Sequence, residues 1–212
     1  SGKVSVMIPI KQLLLICAVV ALVGCGSTDP VEQAIREELK KPTGELTKAD
    51  LEKVTSLIIN HNQLTNVKGL EKLTKLKSLS LGGNQLTEVP KGLEKLTQLK
   101  TLYLDHNELT DVTGLEKLTQ LTWLDLKFNQ LTSVKGLEKL TQLSNLYLGS
   151  NKLTDVTGLE KLDQLEELYL HYNQLTDVKG LEKLTQLKEL YLNNNKLTDV
   201  KGLEKLTQLK TL

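Results

Sequence analysis

The asparagines set the terms on which this chain can fold. Asn62, Asn84, Asn107, Asn129, Asn151, Asn173 and Asn195 follow one another at spacings of 22, 23, 22, 22, 22 and 22 residues. Around them runs the unit L-x-x-L-x-x-L-x-L-x-x-N-x-L-T-x-V-x-G-L-E-K, seen whole in residues 118–139. A unit this short cannot bury its apolar face alone. Copies must stack so that each covers its neighbour.

Each part of the unit has a physical task. Leu102-Tyr103-Leu104 alternates inward and outward residues, which predicts a short strand, and stacked copies then form a parallel sheet. Leu96, Leu99, Leu109, Val112 and Leu115 fill the interior behind it. Asn107 closes the strand, and its buried amide is expected to satisfy backbone groups of the turn and of the next coil. Gly69, Gly92, Gly114, Gly136, Gly158, Gly180 and Gly202 recur at one bend, where unusual dihedrals are expected. Thr65, Thr87, Thr110, Thr132, Thr154, Thr176 and Thr198 are expected to form a hydrogen-bonding column. The recurring Gly-Leu-Glu-Lys-Leu-Thr runs read as charge ladders on a solvated back face. The one longer unit carries Pro90, and its extra residue falls in a connecting loop, where added length costs little.

The start of the chain has a different character. Lys11 is followed by an uncharged apolar run of eleven residues, 13–23, which has signal-peptide length and falls short of the ~20 residues a membrane span needs. It ends in Leu22-Val23-Gly24-Cys25, which resembles the lipobox of bacterial lipoproteins, with Val23 in place of the usual small residue. That resemblance implies cleavage after Gly24, a lipid on Cys25 and, with no Asp at the next two positions, an outer-membrane address; the alternative is plain secretion. Cys17 would leave with the signal, so no disulfide can form within the mature chain.

Residues 25–28 make a spacer. Asp29 and Pro30 then offer a helix cap and first position, and Val31, Ala34, Ile35 and Leu39 recur at helical spacing through Lys41. Thr47-Lys48-Ala49-Asp50 reads as a capping box that opens a short turn to Lys53. Residues 29–53 are expected to cap the open end of the first coil, with repeats over 54–212. The chain stops at the first inward leucine of an eighth strand. The last coil's leucines are therefore expected to face water and the native product to continue.

The 22-residue coils behind a small helical cap resemble the internalin-type leucine-rich repeat proteins of bacteria. The resemblance implies an α/β solenoid with a parallel β-sheet on the concave face, short helical, 3₁₀ or irregular turns on the convex side, and a protein-binding role.

Outward positions on that sheet are where the copies differ. Seven units with four outward positions each hold all five tyrosines, the only tryptophan, the only phenylalanine and all three histidines. Tyr147, Tyr169 and Tyr191 share one column in consecutive coils, Tyr103 joins it with Asp125 between, and Trp123 stands beside it. Together with Glu167 and Glu189 these are the candidate ligand-contacting residues. Tyrosine and tryptophan bring large contact area at low entropy cost. The competing account is that such rings mainly stabilise one another across strands.

No chemistry stands out elsewhere. His61, His106 and His171 are scattered over different coils, no His, Cys, Asp or Glu set has metal-ligand spacing, and no phosphate loop or nucleophile motif occurs. A net charge of +1 gives no basic surplus, which argues against nucleic acid. The expectation is a lipid-anchored, non-enzymatic module of the bacterial cell envelope that needs no cofactor and binds a protein on its concave face. The alternatives are glycan binding through the Tyr/Trp stripe and a spacer for a further C-terminal domain.

Overall fold

The computed structural model describes residues 29–212; the apolar run 13–23 and Cys25, on which the signal and lipid expectations fall, lie outside the described residues. Among the described residues, two short helices precede the repeats. Helix α1, Pro30–Glu38, starts where Asp29 accepts the Val31 N–H at 2.9 Å, and it buries Val31 and Ile35 against the first coil. It ends earlier than its apolar spacing predicts, because Lys40 turns to a left-handed φ of 50°. Helix α2, Lys48–Leu51, opens with the reciprocal Thr47–Asp50 capping box. Lys41 reaches Asp50 at 2.7 Å, and with Thr47 it holds that carboxyl far below the usual carboxylate range.

Seven three-residue strands follow. They are β1 Ser56–Ile58, β2 Ser78–Ser80, β3 Thr101–Tyr103, β4 Trp123–Asp125, β5 Asn145–Tyr147, β6 Glu167–Tyr169 and β7 Glu189–Tyr191. They pair in sequence order as one parallel sheet. The register is unbroken: Leu57, Leu79, Leu102, Leu124, Leu146, Leu168 and Leu190 stack in one buried column. The insertion at Pro90 leaves the pairing of Leu79 with Leu102 intact, so its extra residue is absorbed in the connection. On the convex side the chain returns by single 3₁₀ turns at Leu70–Lys72, Leu93–Lys95, Leu159–Lys161, Leu181–Lys183 and Leu203–Lys205, and by irregular turns elsewhere. This is the leucine-rich repeat solenoid expected from the period.

The asparagine ladder sits inside, but it reaches backward rather than forward. Asn107 Nδ2 donates to Leu81 O of the preceding coil at 3.0 Å and to Leu104 O at 3.1 Å, while its Oδ1 accepts the Leu86 N–H, again of the preceding coil. The physical reason is local. Leu81 N–H is taken by Tyr103 O in the sheet, and its carbonyl is left turned toward the coil that follows. The amide one coil on is the donor that meets it.

Two further expectations are corrected. The threonine column is exposed and makes no hydrogen bond among the described residues, so it organises nothing. The Glu of Gly-Leu-Glu-Lys, read as a solvated charge, instead folds back on the bend. Its carboxylate accepts the glycine N–H two residues earlier, at 2.9 Å for Gly69–Glu71, 2.7 Å for Gly92–Glu94 and 2.6 Å for Gly180–Glu182. The bend glycines carry φ between 93° and 110°, which explains why nothing else stands there. The backbone N–H groups of Glu94 itself and of Gly92 hold the Glu94 carboxyl below its ordinary value, and the same pattern recurs at Glu116, Glu138, Glu160 and Glu182. At the far end Leu203 and Leu206 are buried against the preceding coil rather than facing water, while Leu212 is exposed.

Candidate binding face

Strand pairing puts Tyr103, Asp125, Tyr147, Tyr169 and Tyr191 in one column down the concave sheet. Trp123 bridges the gap at Asp125 from one side. Its ring centroid lies 6.3 Å from Tyr103 and 5.0 Å from Tyr147, and the series continues at 4.7 Å to Tyr169 and 4.4 Å to Tyr191. The rings therefore run in series along the solenoid axis, tilted to one another except at Tyr169 and Tyr191, which stack. The structure brings all eight sequence candidates onto this face, but it does not make them equally accessible.

Tyr147 is 7% exposed, and its hydroxyl donates to Glu167 at 2.6 Å. Burial, then that carboxylate, pushes its pKa well above the ordinary tyrosine value. Tyr169 repeats the arrangement one coil on, donating to Glu189 at 3.0 Å, and its pKa is raised for the same reasons. Asp125 is also 7% exposed. Desolvation raises its pKa, against the opposing pull of the Lys127 backbone N–H at 3.0 Å and of Lys127 Nζ at 3.3 Å. Lys127 Nζ lies 5.3 Å from the Tyr147 ring centroid, so one ammonium covers both buried groups. The Trp123 indole N–H is buried without a hydrogen-bond partner.

A second column, three residues beyond the first, is more exposed. The residue before each ladder asparagine adopts a left-handed backbone: His61, Gly83, His106, Phe128, Ser150, Tyr172 and Asn194 have φ between 52° and 66°. Side chains here rise from the edge of the sheet. Phe128 is 47% exposed and stacks on His106 at 4.2 Å; Tyr172 is 57% exposed, with His171 edge-on at 5.8 Å. His171 lies over Gly149, where a Cβ would collide with its ring. Desolvation, then the Lys127 charge, lowers its pKa. Ile58 is likewise exposed at the first strand.

Phe128 and Tyr172 were absent from the sequence candidates, yet a signal for them exists. Gly, Ser and Asn in their column mark a position of positive φ. A bulky aromatic there works against backbone preference and against solvent at once.

The model described as leucine-rich repeats (two copies) matches residues 119–161, 163–205 and 185–212, and a second leucine-rich repeat model matches residues 52–109 and 74–131. Among solved structures, internalin C2 from Listeria monocytogenes is 29% identical with a TM-score of 0.72, over 86% of this chain and 92% of that one. A leucine-rich repeat protein of Leptospira interrogans is 34% identical with a TM-score of 0.74, over 77% of this chain and 43% of that one. A search of curated sequences finds no match. With both repeat models tiling residues 52–212 and the same coil in two bacterial structures, the chain belongs to the leucine-rich repeat family.

Proposed function

We propose that this solenoid is a non-enzymatic, internalin-like protein-binding module whose contact surface is the concave sheet and its adjoining edge. The observation that carries the reading is the placement of Phe128 and Tyr172. Each accepts a left-handed backbone, which costs an ordinary L-residue about 1–2 kcal/mol, and each leaves a large ring in water. Ser150 and Asn194 show that the fold needs neither ring in this column. Large exposed aromatics at positions the fold also fills with Ser or Asn are what a protein partner covers. The glycan alternative has less support, because sugar stacking needs an open ring, and Tyr147 is buried while Tyr169 is stacked on Tyr191.

The test compares capture from an envelope extract by the parent chain and by a Phe128→Ser/Tyr172→Ser variant of equal melting temperature. A partner retained by the parent and lost by the variant, and not released by soluble sugars, is the expected outcome. Identical captures would sink the binding face and leave the spacer reading.

The same reading places the module at the cell envelope through a lipid on Cys25. Changing Cys25 to Ser should move the protein from the membrane pellet to the soluble fraction; continued sedimentation would refute the anchor.

A further inference from the structure

We infer that the partner presents a basic side chain, an arginine or a lysine, to Glu167 and Glu189 on the last two strands of the concave sheet. This rests on the concave-face reading and adds the chemistry of what the face receives.

Glu167 and Glu189 are register partners on β6 and β7. Parallel strands lie about 4.8 Å apart, and like charges directly opposite one another are destabilising. The side-chain donors that meet these two carboxylates among the described residues are two neutral tyrosine hydroxyls. Among the described residues, neither carboxylate has a cation within 4.0 Å, whereas Asp125 meets Lys127 at 3.3 Å and Asp105 has the His106 ring as a hydrogen-bond partner at 2.9 Å. Lys188, the neighbouring lysine on the same edge, is already paired with Glu166 at 2.6 Å.

The fold does not ask for acid in this column. Its earlier members are Ser56, Ser78, Thr101, Trp123 and Asn145. Both carboxylates are nonetheless held in place, Glu167 by the Tyr147 hydroxyl and Glu189 by the Tyr169 hydroxyl. Each keeps a second oxygen that no donor among the described residues occupies. Two oriented carboxylates with no counter-ion among the described residues match a guanidinium or ammonium group in charge. Tyr172, at the other end of the β6 coil, offers the apolar contact that a protein segment carrying that cation would make. Acidic segments are repelled here, and neutral sugars leave the charges unmet.

The test is a random displayed-peptide library selected on the immobilised full chain, with recovered peptides then measured on Glu167→Gln/Glu189→Gln and on Tyr172→Ser. Gln still accepts the tyrosine hydroxyls, so the double variant should melt no lower than the parent. The expected result is enrichment of Arg and Lys over the starting library. The peptides should lose about tenfold or more in affinity on the Gln variant and weaken with added salt. Peptides weakened by Tyr172→Ser but indifferent to the Gln variant overturn the basic partner while leaving the concave face standing. If neither variant weakens any peptide, both readings fall. A large drop in melting temperature for the Gln variant would make the glutamates structural and overturn the inference as well.

Discussion

Replacing Asn129 with Ala should cost about 3 kcal/mol of stability, read from denaturant unfolding. Asn129 is buried in the middle of the ladder. Its Oδ1 accepts the Leu109 N–H at 3.0 Å, and its Nδ2 donates to Leu104 O at 2.9 Å and Leu126 O at 3.1 Å. Alanine removes all three contacts and puts no polar atom in their place. An unsatisfied buried donor or acceptor costs about 1–3 kcal/mol, and alanine leaves more than one. The same change at Asn195 should cost less. That residue is only partly buried, its Nδ2 bonds Leu170 O and Leu192 O, and the backbone around it reaches solvent more readily. Equal losses at the two sites would mean that burial is not what gives the ladder its strength. A loss below about 1 kcal/mol at Asn129 would mean that water replaces the amide, and the ladder would then mark the period without enforcing it.

The ladder also shows which part of the structure was legible beforehand. A strict spacing of one residue type constrains every coil at once, so period, strand register and the glycine bend could all be read from Asn107, Leu102 and Gly114. What could not be read was the direction of side chains that fold back on backbone. Asn107 bonds the preceding coil because of which carbonyl the sheet leaves free, and that depends on the handedness of stacking rather than on spacing. Glu94 capping Gly92 has the same origin: as sequence, Gly-Leu-Glu-Lys is indistinguishable from a solvated charge run. Thr110 is the converse case, a perfect repeat that makes no hydrogen bond.

At the candidate site the limit was burial. Tyr147 and Tyr172 are both outward tyrosines in the sequence pattern. The first is nonetheless enclosed by Trp123, Tyr169 and the arching Lys127 side chain, while the second stands clear. Column assignment tells which face a residue is on. It does not tell whether a neighbour long enough to cover it will do so.

That difference makes Tyr147→Ser and Tyr172→Ser the sharpest pair of variants on this chain. Tyr147→Ser removes a ring packed at 5.0 Å from Trp123 and 4.7 Å from Tyr169, leaves Glu167 without its 2.6 Å donor, and takes away the surface on which Lys127 rests. Loss of a packed aromatic of this kind costs about 3 kcal/mol, and the coils on either side share the loss because the ring packs on a side chain of each. Tyr172→Ser deletes a ring that is mostly in water and places serine in a backbone conformation that Ser150 already holds one coil earlier at φ 57°. Its stability change should stay within about 0.5 kcal/mol, while partner retention drops about tenfold or more. Thermal melting beside a binding assay separates the two. If Tyr172→Ser destabilises the solenoid as much as Tyr147→Ser does, the exposed ring serves the fold. If it leaves both stability and retention unchanged, Tyr172 is not a contact residue and the binding face proposed around it falls.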